Sequence, residues 1–303
     1  MKIISVINYK GGVGKTTLTA NLAAELANRD YNVLMIDLDP QASLSFSFVK
    51  PDDWKTDLAT NKTIKNWFKP SNKKTSKPKF ADLIFEPHNV KNHLKGKGKL
   101  HLVSSHLELI NVDLELATLL SGANLKQAKQ NFIKVHKTLA DGIEQLRDEY
   151  DVILIDCPPN FNIVTKNAIV ASDNILIPAK PDYLSTLGID YLIKSLNELI
   201  SDFNEYCKVE DDETVDEINP IIIGVLFTMV QFYGGEPISA IRPFISQTKK
   251  LKIPVFEAYF RENKTLFADA PQYGVPVVLS NSYRPDIVQE INEFVDEFVN
   301  KAL

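Results

Sequence analysis

Residues 10–17 read KGGVGKTT, and they stand between the β-branched run Lys2–Asn8 (KIISVIN) and a stretch, 16–28, whose Leu18, Leu22, Ala23 and Leu26 recur at helical spacing. A strand that runs into a glycine-rich turn and opens directly into a helix leaves little choice of architecture. Gly11, Gly12 and Gly14 allow positive φ and let backbone approach an anion with no Cβ in the way. The helix start aims its unpaired N–H groups and positive dipole end at the same point. This is the phosphate-binding loop G-x-x-x-x-G-K-[ST]. It carries one departure: Tyr9 occupies the place of the first glycine, and Lys10 adds a second lysine.

In such a loop Gly11, Gly12, Val13 and Gly14 supply the backbone cradle. Lys15 pairs the β- and γ-phosphate oxygens, the Thr16 hydroxyl coordinates Mg²⁺, and Thr17 contacts the α-phosphate. The expected ligands are therefore ATP and Mg²⁺. Val33–Ile36 (VLMI) reads as a second buried strand ending at Asp37, so strand, loop, helix and strand make a βαβ unit and imply a parallel sheet. Asp37 and Asp39 stand at that strand end in IDLDPQ, and Asp156 ends the apolar run DVILID. Carboxylates at the C-terminal edge of a parallel sheet face the bound phosphates and a metal-bound water. Thr16 and Asp156 are thereby expected at the metal and Lys15 at the phosphates, with Asp37 and Asp39 beside them at the strand end.

Further strands are expected at 100–103, 151–156, 174–177, 220–227 and 253–260, with helices near 107–120, 125–149, 160–171, 185–203, 237–249 and 285–301. The alternation predicts a single α/β domain over 1–303, a doubly wound, mostly parallel sheet of the P-loop NTPase type. Residues 50–99 are lysine-rich and aperiodic, an insertion or extended connection whose apolar pieces Ile64–Phe68 and Phe80–Phe85 dock on the body. From Lys50 to Leu100 thirteen lysines face five acidic residues; from Ser201 to Glu217 eight acidic residues face one lysine. The net charge of −5 excludes a uniformly basic nucleic-acid binder. Two cysteines, Cys157 and Cys207, offer no metal or redox spacing. No apolar run approaches the ~20 residues of a membrane span, and the N-terminus lacks a signal-peptide pattern, so a cytoplasmic location is expected.

KGGVGKTT, IDLDPQAS and DVILIDCPPN together resemble the ParA/MinD family of deviant-Walker ATPases, most closely its ParA branch. The looser segments LFTMV and RENKTLFADAPQYGVPV add to this, and the resemblance spans most of the chain outside 50–99. It implies that Lys10 is a signature lysine reaching the partner's phosphates across an ATP-sandwiched homodimer. Asp39 would place the attacking water, Asp37 would stand near the metal's outer shell, and Asp156 would be the Walker B carboxylate. Thr228, Met229 and Pro271 would cradle adenine, with Glu262 and Asn263 nearby. The resemblance further implies an ATPase that is weak alone and stimulated by a ParB-like or other activator protein. The ATP dimer would hold double-stranded DNA without sequence preference through Arg242, Lys249, Lys250 and Lys252, giving nucleoid association when ATP-bound. The chain starts directly at its first strand, so operator recognition is not expected. The MinD branch ends in a basic membrane-binding helix; here the final helix pairs an apolar face with Asp286, Glu290, Glu293, Asp296 and Glu297, which anionic lipid repels. No membrane partner is expected. The alternative is a MinD-like or other nucleotide-gated scaffold that does not use DNA.

Overall fold

The computed structural model describes residues 1–69, 77–208, 215–234, 236–263, 267, 274–280 and 284–303. Seven strands form one sheet in the order β3-β2-β4-β1-β5-β6-β9. They are β1 (Lys2–Val6), β2 (Val33–Asp37), β3 (Leu100–Val103), β4 (Val152–Asp156), β5 (Asn174–Ala179), β6 (Ile221–Val230) and β9 (Val255–Arg261); β7 (Phe232–Tyr233) and β8 (Glu236–Pro237) make a separate antiparallel hairpin. Every neighbouring pair in the large sheet is parallel. The strands read as unbroken apolar runs because both faces are covered. Leu34, Ile36, Ile153 and Ile155 join one core cluster, while Val33, Met35, Val152 and Leu154 join the other.

On the second of these faces lie the helices Lys15–Asn28 and Pro285–Ala302, and on the first Leu109–Thr118, Ile163–Ala171 and Tyr183–Cys207. The final helix buries Ile287, Ile291, Phe294, Val295 and Phe298 in the core. Its apolar face is thus committed to the body, as its acidic outer face suggested. Among the described residues no helix is long and apolar enough to cross a membrane.

Two expected helices are corrected. The stretch 125–149 breaks into Leu125–His136, Thr138–Ile143 and a 3-10 turn, Glu144–Leu146. The buried Asn167 amide enters the break, accepting from Leu139 N–H at 3.1 Å and donating to the Val135 carbonyl at 3.0 Å. Those bonds satisfy backbone groups that a continuous helix would have paired itself. The helix expected at 237–249 begins only at Arg242, after β8 and a 3-10 turn, Ser239–Ile241. Pro243 in its first turn has no N–H to lose there and favours a start at that point.

The lysine-rich segment wraps the β3 edge. Thr63 bridges Ser104 and Phe85 bridges Leu102, while Ile64, Trp67, Phe68, Phe80 and Leu83 enter the core. An edge strand with unpaired backbone groups is a liability unless covered, and this segment covers it.

Candidate functional site: a phosphate loop at the strand ends

In a parallel sheet all strand C-termini share one edge, and β1 sits at its centre. The loop after β1 turns through left-handed Gly12 (φ 68°) and Gly14 (φ 78°) into the helix Lys15–Asn28. A side chain at either glycine would be strained whatever the space around it. Lys15 is buried and donates from Nζ to the Asn8 carbonyl at 3.2 Å and the Lys10 carbonyl at 3.3 Å. Burial lowers its pKa, with the Asp156 charge opposing the shift. The Thr228 hydroxyl donates to the Val13 carbonyl at 2.7 Å, so β6 props the loop from behind.

Asp37 and Asp156 are direct neighbours across the β2–β4 ladder, and both are fully enclosed. Thr16 Oγ donates to Asp156 Oδ2 at 2.7 Å, whereas Asp156 Oδ1 is buried and has no hydrogen-bond partner among the described residues. Asp37 is differently placed: Oδ2 accepts Ser45 N–H at 2.8 Å and Ser45 Oγ–H at 2.7 Å, and Oδ1 accepts Asp39 N–H at 3.1 Å. Both its oxygens are engaged by its own loop. Burial raises both acids, Asp37 to about 8 and Asp156 to about 7; the Asp156 charge lifts Asp37 further, while the Thr16 hydroxyl bond and Lys15 restrain Asp156. Asp39, half-exposed, accepts Gln41 N–H at 2.9 Å.

Lys10 leaves the loop on the other side. Its Nζ pairs with Asp182 at 2.7 Å and its N–H donates to Asn8 Oδ1 at 2.8 Å. Burial alone would raise Asp182, but Lys10 and Ser185 outweigh it and hold the carboxyl below its ordinary value. Tyr9 packs between Phe161 (ring centroids 5.6 Å apart) and Tyr191 (5.5 Å). The tyrosine that replaces a P-loop glycine thus ties the loop to the segment before the helix Ile163–Ala171 and to the helix Tyr183–Cys207.

Behind the loop a narrow cleft is lined by Gly14, Thr17, Thr228, Met229, Phe260, Arg261, Glu262, Asn263 and Phe267. It brings together Thr228, Met229, Glu262 and Asn263, while Pro271 lies outside the described residues. Sequence reasoning missed Phe260 and Phe267, whose rings stack 20° from parallel. Arg261 was missed too; it is anchored by Asp286 and Glu290 of the final helix.

Arg242, Lys249, Lys250 and Lys252 are all exposed. Lys249, Lys250 and Lys252 lie just before β9, at the sheet edge opposite the phosphate loop. Arg242 is 3.7 Å from Glu236 and Lys249 is 3.6 Å from Glu257, so two of the four cations face a nearby carboxylate. Residues 209–214 of the acidic stretch lie outside the described part.

A glycine loop around a helix start, with a threonine hydroxyl on an enclosed strand-end carboxylate, defines a P-loop nucleotide site. The sequence matches the family described as AAA domain over residues 1–209, and the chain belongs to that family, as a ParA/MinD-like P-loop ATPase. It is 27% identical over 284 residues to the sporulation initiation inhibitor protein Soj of Bacillus subtilis, covering 92% of this chain and 90% of that one. A Rhizobium rhizogenes protein described as a replication protein A is 32% identical over 200 residues, 66% of this chain; the match spans only 45% of that relative's length. The fold is that of apo McdA from Cyanothece (TM-score 0.71, 20% identity, 98% and 99% of the two chains). It is also that of cobyrinic acid a,c-diamide synthase from Mycobacterium smegmatis, solved with an ATP analog and magnesium (TM-score 0.70, 18% identity, 99% and 94%).

Proposed function

We propose that this chain is a nucleotide-switched positioning or partition ATPase that binds Mg²⁺·ATP at the loop 10–17. The observation that carries the reading is the Thr16–Asp156 pair, whose second carboxylate oxygen is enclosed and has no partner among the described residues. An orphaned buried carboxylate oxygen costs free energy unless a donor or cation is meant to meet it. Thr16 and Asp156 therefore suit Mg²⁺ and would hold it when it is bound, with Asp37 one strand further out. When bound, the metal supplies charge neutralisation at the phosphoryl oxygens. The chain's own residues do the rest. Loop N–H groups and Lys15 hold the phosphates, Asp39 orients the attacking water, and the cleft of Thr228, Met229, Phe260 and Phe267 receives the base.

In this reading Lys10 exchanges its Asp182 contact for a second copy's phosphates, so ATP occupancy favours a homodimer. The dimer holds double-stranded DNA nonspecifically through Lys249, Lys250, Lys252 and Arg242, and an activator of the ParB type stimulates hydrolysis and release. The similarity to Soj supports this assignment, and the exposure of all four cations supports the DNA contact.

Changing Lys249 and Lys250 together to Glu is expected to abolish ATP-dependent retention on DNA while nucleotide affinity stays within about twofold, because phosphate contacts and the loop lie at opposite sheet edges. A filter or surface-retention assay beside a nucleotide titration checks this. Unchanged retention would exclude this patch and direct the search to the lysines of 50–99.

A further inference from the structure

The loop between Asp37 and the short helix Ser43–Phe46 carries Asp39, and it is organised around the Asp37 carboxylate. Ser45 donates twice to one oxygen, and Asp39 N–H takes the other. Inside the loop, Ala42 N–H donates to the Asp39 carbonyl at 2.8 Å and Ala42 is left-handed at φ 53°. A non-glycine residue in that region needs surroundings that fix it. Ser45 has one more contact: its Oγ accepts the Ser105 N–H at 2.9 Å, from the segment following β3. Asp37, Ser45 and Ser105 are all fully buried.

Ser45 could have satisfied its hydroxyl locally, as Ser47 does by donating to the Ser43 carbonyl at 2.8 Å. It instead joins three parts of the chain: the strand-end carboxylate, the helix that closes the loop, and the backbone beyond β3. Phe46 adds an edge contact to Trp54 (5.5 Å), and Trp54 Nε1 donates to Ser104 Oγ at 2.8 Å. The far side of the loop is therefore pinned to the same segment.

We propose that Ser45 is a positioning residue: by gripping Asp37 and the Ser105 amide at once, it sets the orientation of the loop that presents Asp39. This rests on the ATPase reading above. Rotation of the Asp37 carboxylate would carry the Asp39 amide with it, because the two oxygens hold opposite ends of one loop. Ser45 touches neither phosphate nor metal in this scheme and acts only through Asp37 and Asp39.

The test is steady-state hydrolysis by the full chain with Mg²⁺·ATP. Ser45→Ala is expected to lower kcat roughly tenfold, the scale of one hydrogen bond to a charged group, with KM within about twofold. Ser45→Thr, which keeps the hydroxyl, restores most of the rate. In an Asp39→Ala background Ser45→Ala lowers the rate no further, since coupled residues are not additive. An unchanged kcat in Ser45→Ala, an alanine-like Ser45→Thr that still melts cooperatively, or a full additional loss in the Asp39→Ala background would each overturn the proposal. A wild type that neither binds Mg²⁺·ATP nor hydrolyses it makes the ATPase reading fail by itself, whereas ATP binding with turnover too slow to follow without an activator leaves it standing. Hydrogen exchange then decides the role of Ser45: faster exchange of the 39–45 amides in Ser45→Ala supports the grip, and unchanged exchange overturns it.

Discussion

Lys15→Ala is expected to lower kcat/KM for ATP by two orders of magnitude or more, the scale of removing one preorganised charge contact to a phosphoryl group, roughly 10²–10³-fold. Its effect on folding should be small by comparison. In the ligand-free chain the ammonium donates to two loop carbonyls at 3.2 and 3.3 Å, which alanine forfeits. Alanine also removes a buried cation whose pKa is lowered by desolvation, so the losses and gains oppose each other. Nucleotide titration and a melting curve on the same preparation separate the two. Loss of binding with a nearly unchanged Tm is the expected pair of results. A collapse of Tm would mean that the lysine chiefly holds the loop together.

Asp156→Asn should likewise lower Mg²⁺-dependent hydrolysis on the order of 100-fold, by taking charge from the metal side of the site, yet it should stabilise the ligand-free protein above neutral pH. Asp37 and Asp156 are held up at about 8 and about 7 by enclosure, with Asp156 charge adding to Asp37. The folded chain therefore keeps protons that the unfolded chain has already released. Stability that is present in the ordinary carboxylate range is lost as pH rises through the folded values. Wild type without nucleotide or metal should melt several degrees lower at pH 8 than at pH 6. Asp156→Asn removes one of the two facing charges, and its Tm should fall less over that interval. A wild-type Tm that rises toward pH 8 would contradict this. Added Mg²⁺ and nucleotide should flatten the wild-type dependence, because a cation favours the ionised acids.

The loop, the strands and their parallel order were legible because each is written in neighbouring residues. KGGVGKTT fixes the strand-to-helix turn, and runs such as VLMID and DVILID can be fully buried strands only if both sheet faces are covered. What escaped is the set of partners supplied from far along the chain. Asp182 meets Lys10 across 172 positions, and no local pattern marks it. The break in the 125–149 helix depends on Asn167, whose amide bonds Leu139 and Val135; helical periodicity continues straight through that point. Ser45 looks like any serine near a helix start until its oxygen is seen between Asp37 and Ser105. In the cleft behind the loop, Phe260 and Phe267 read as ordinary core aromatics. The Thr228 hydroxyl turned out to serve the Val13 carbonyl, so its place in the cleft is given by its position and not by a free polar group. The basic residues before β9 were visible as charges; their facing acids, Glu236 in β8 and Glu257 in β9, stand close in sequence, but only the turn of the chain brings them opposite.

If ATP at this loop switches the chain onto DNA through Lys10, retention on nonspecific double-stranded DNA shows it, measured with ATP, ADP or no nucleotide, for wild type and Lys10→Ala, over a range of salt concentrations. Retention is expected with ATP alone, weakening steeply as salt rises, and is lost in Lys10→Ala although that variant still binds ATP. Equal retention in all three nucleotide states, or full ATP-dependent retention by Lys10→Ala, would contradict it.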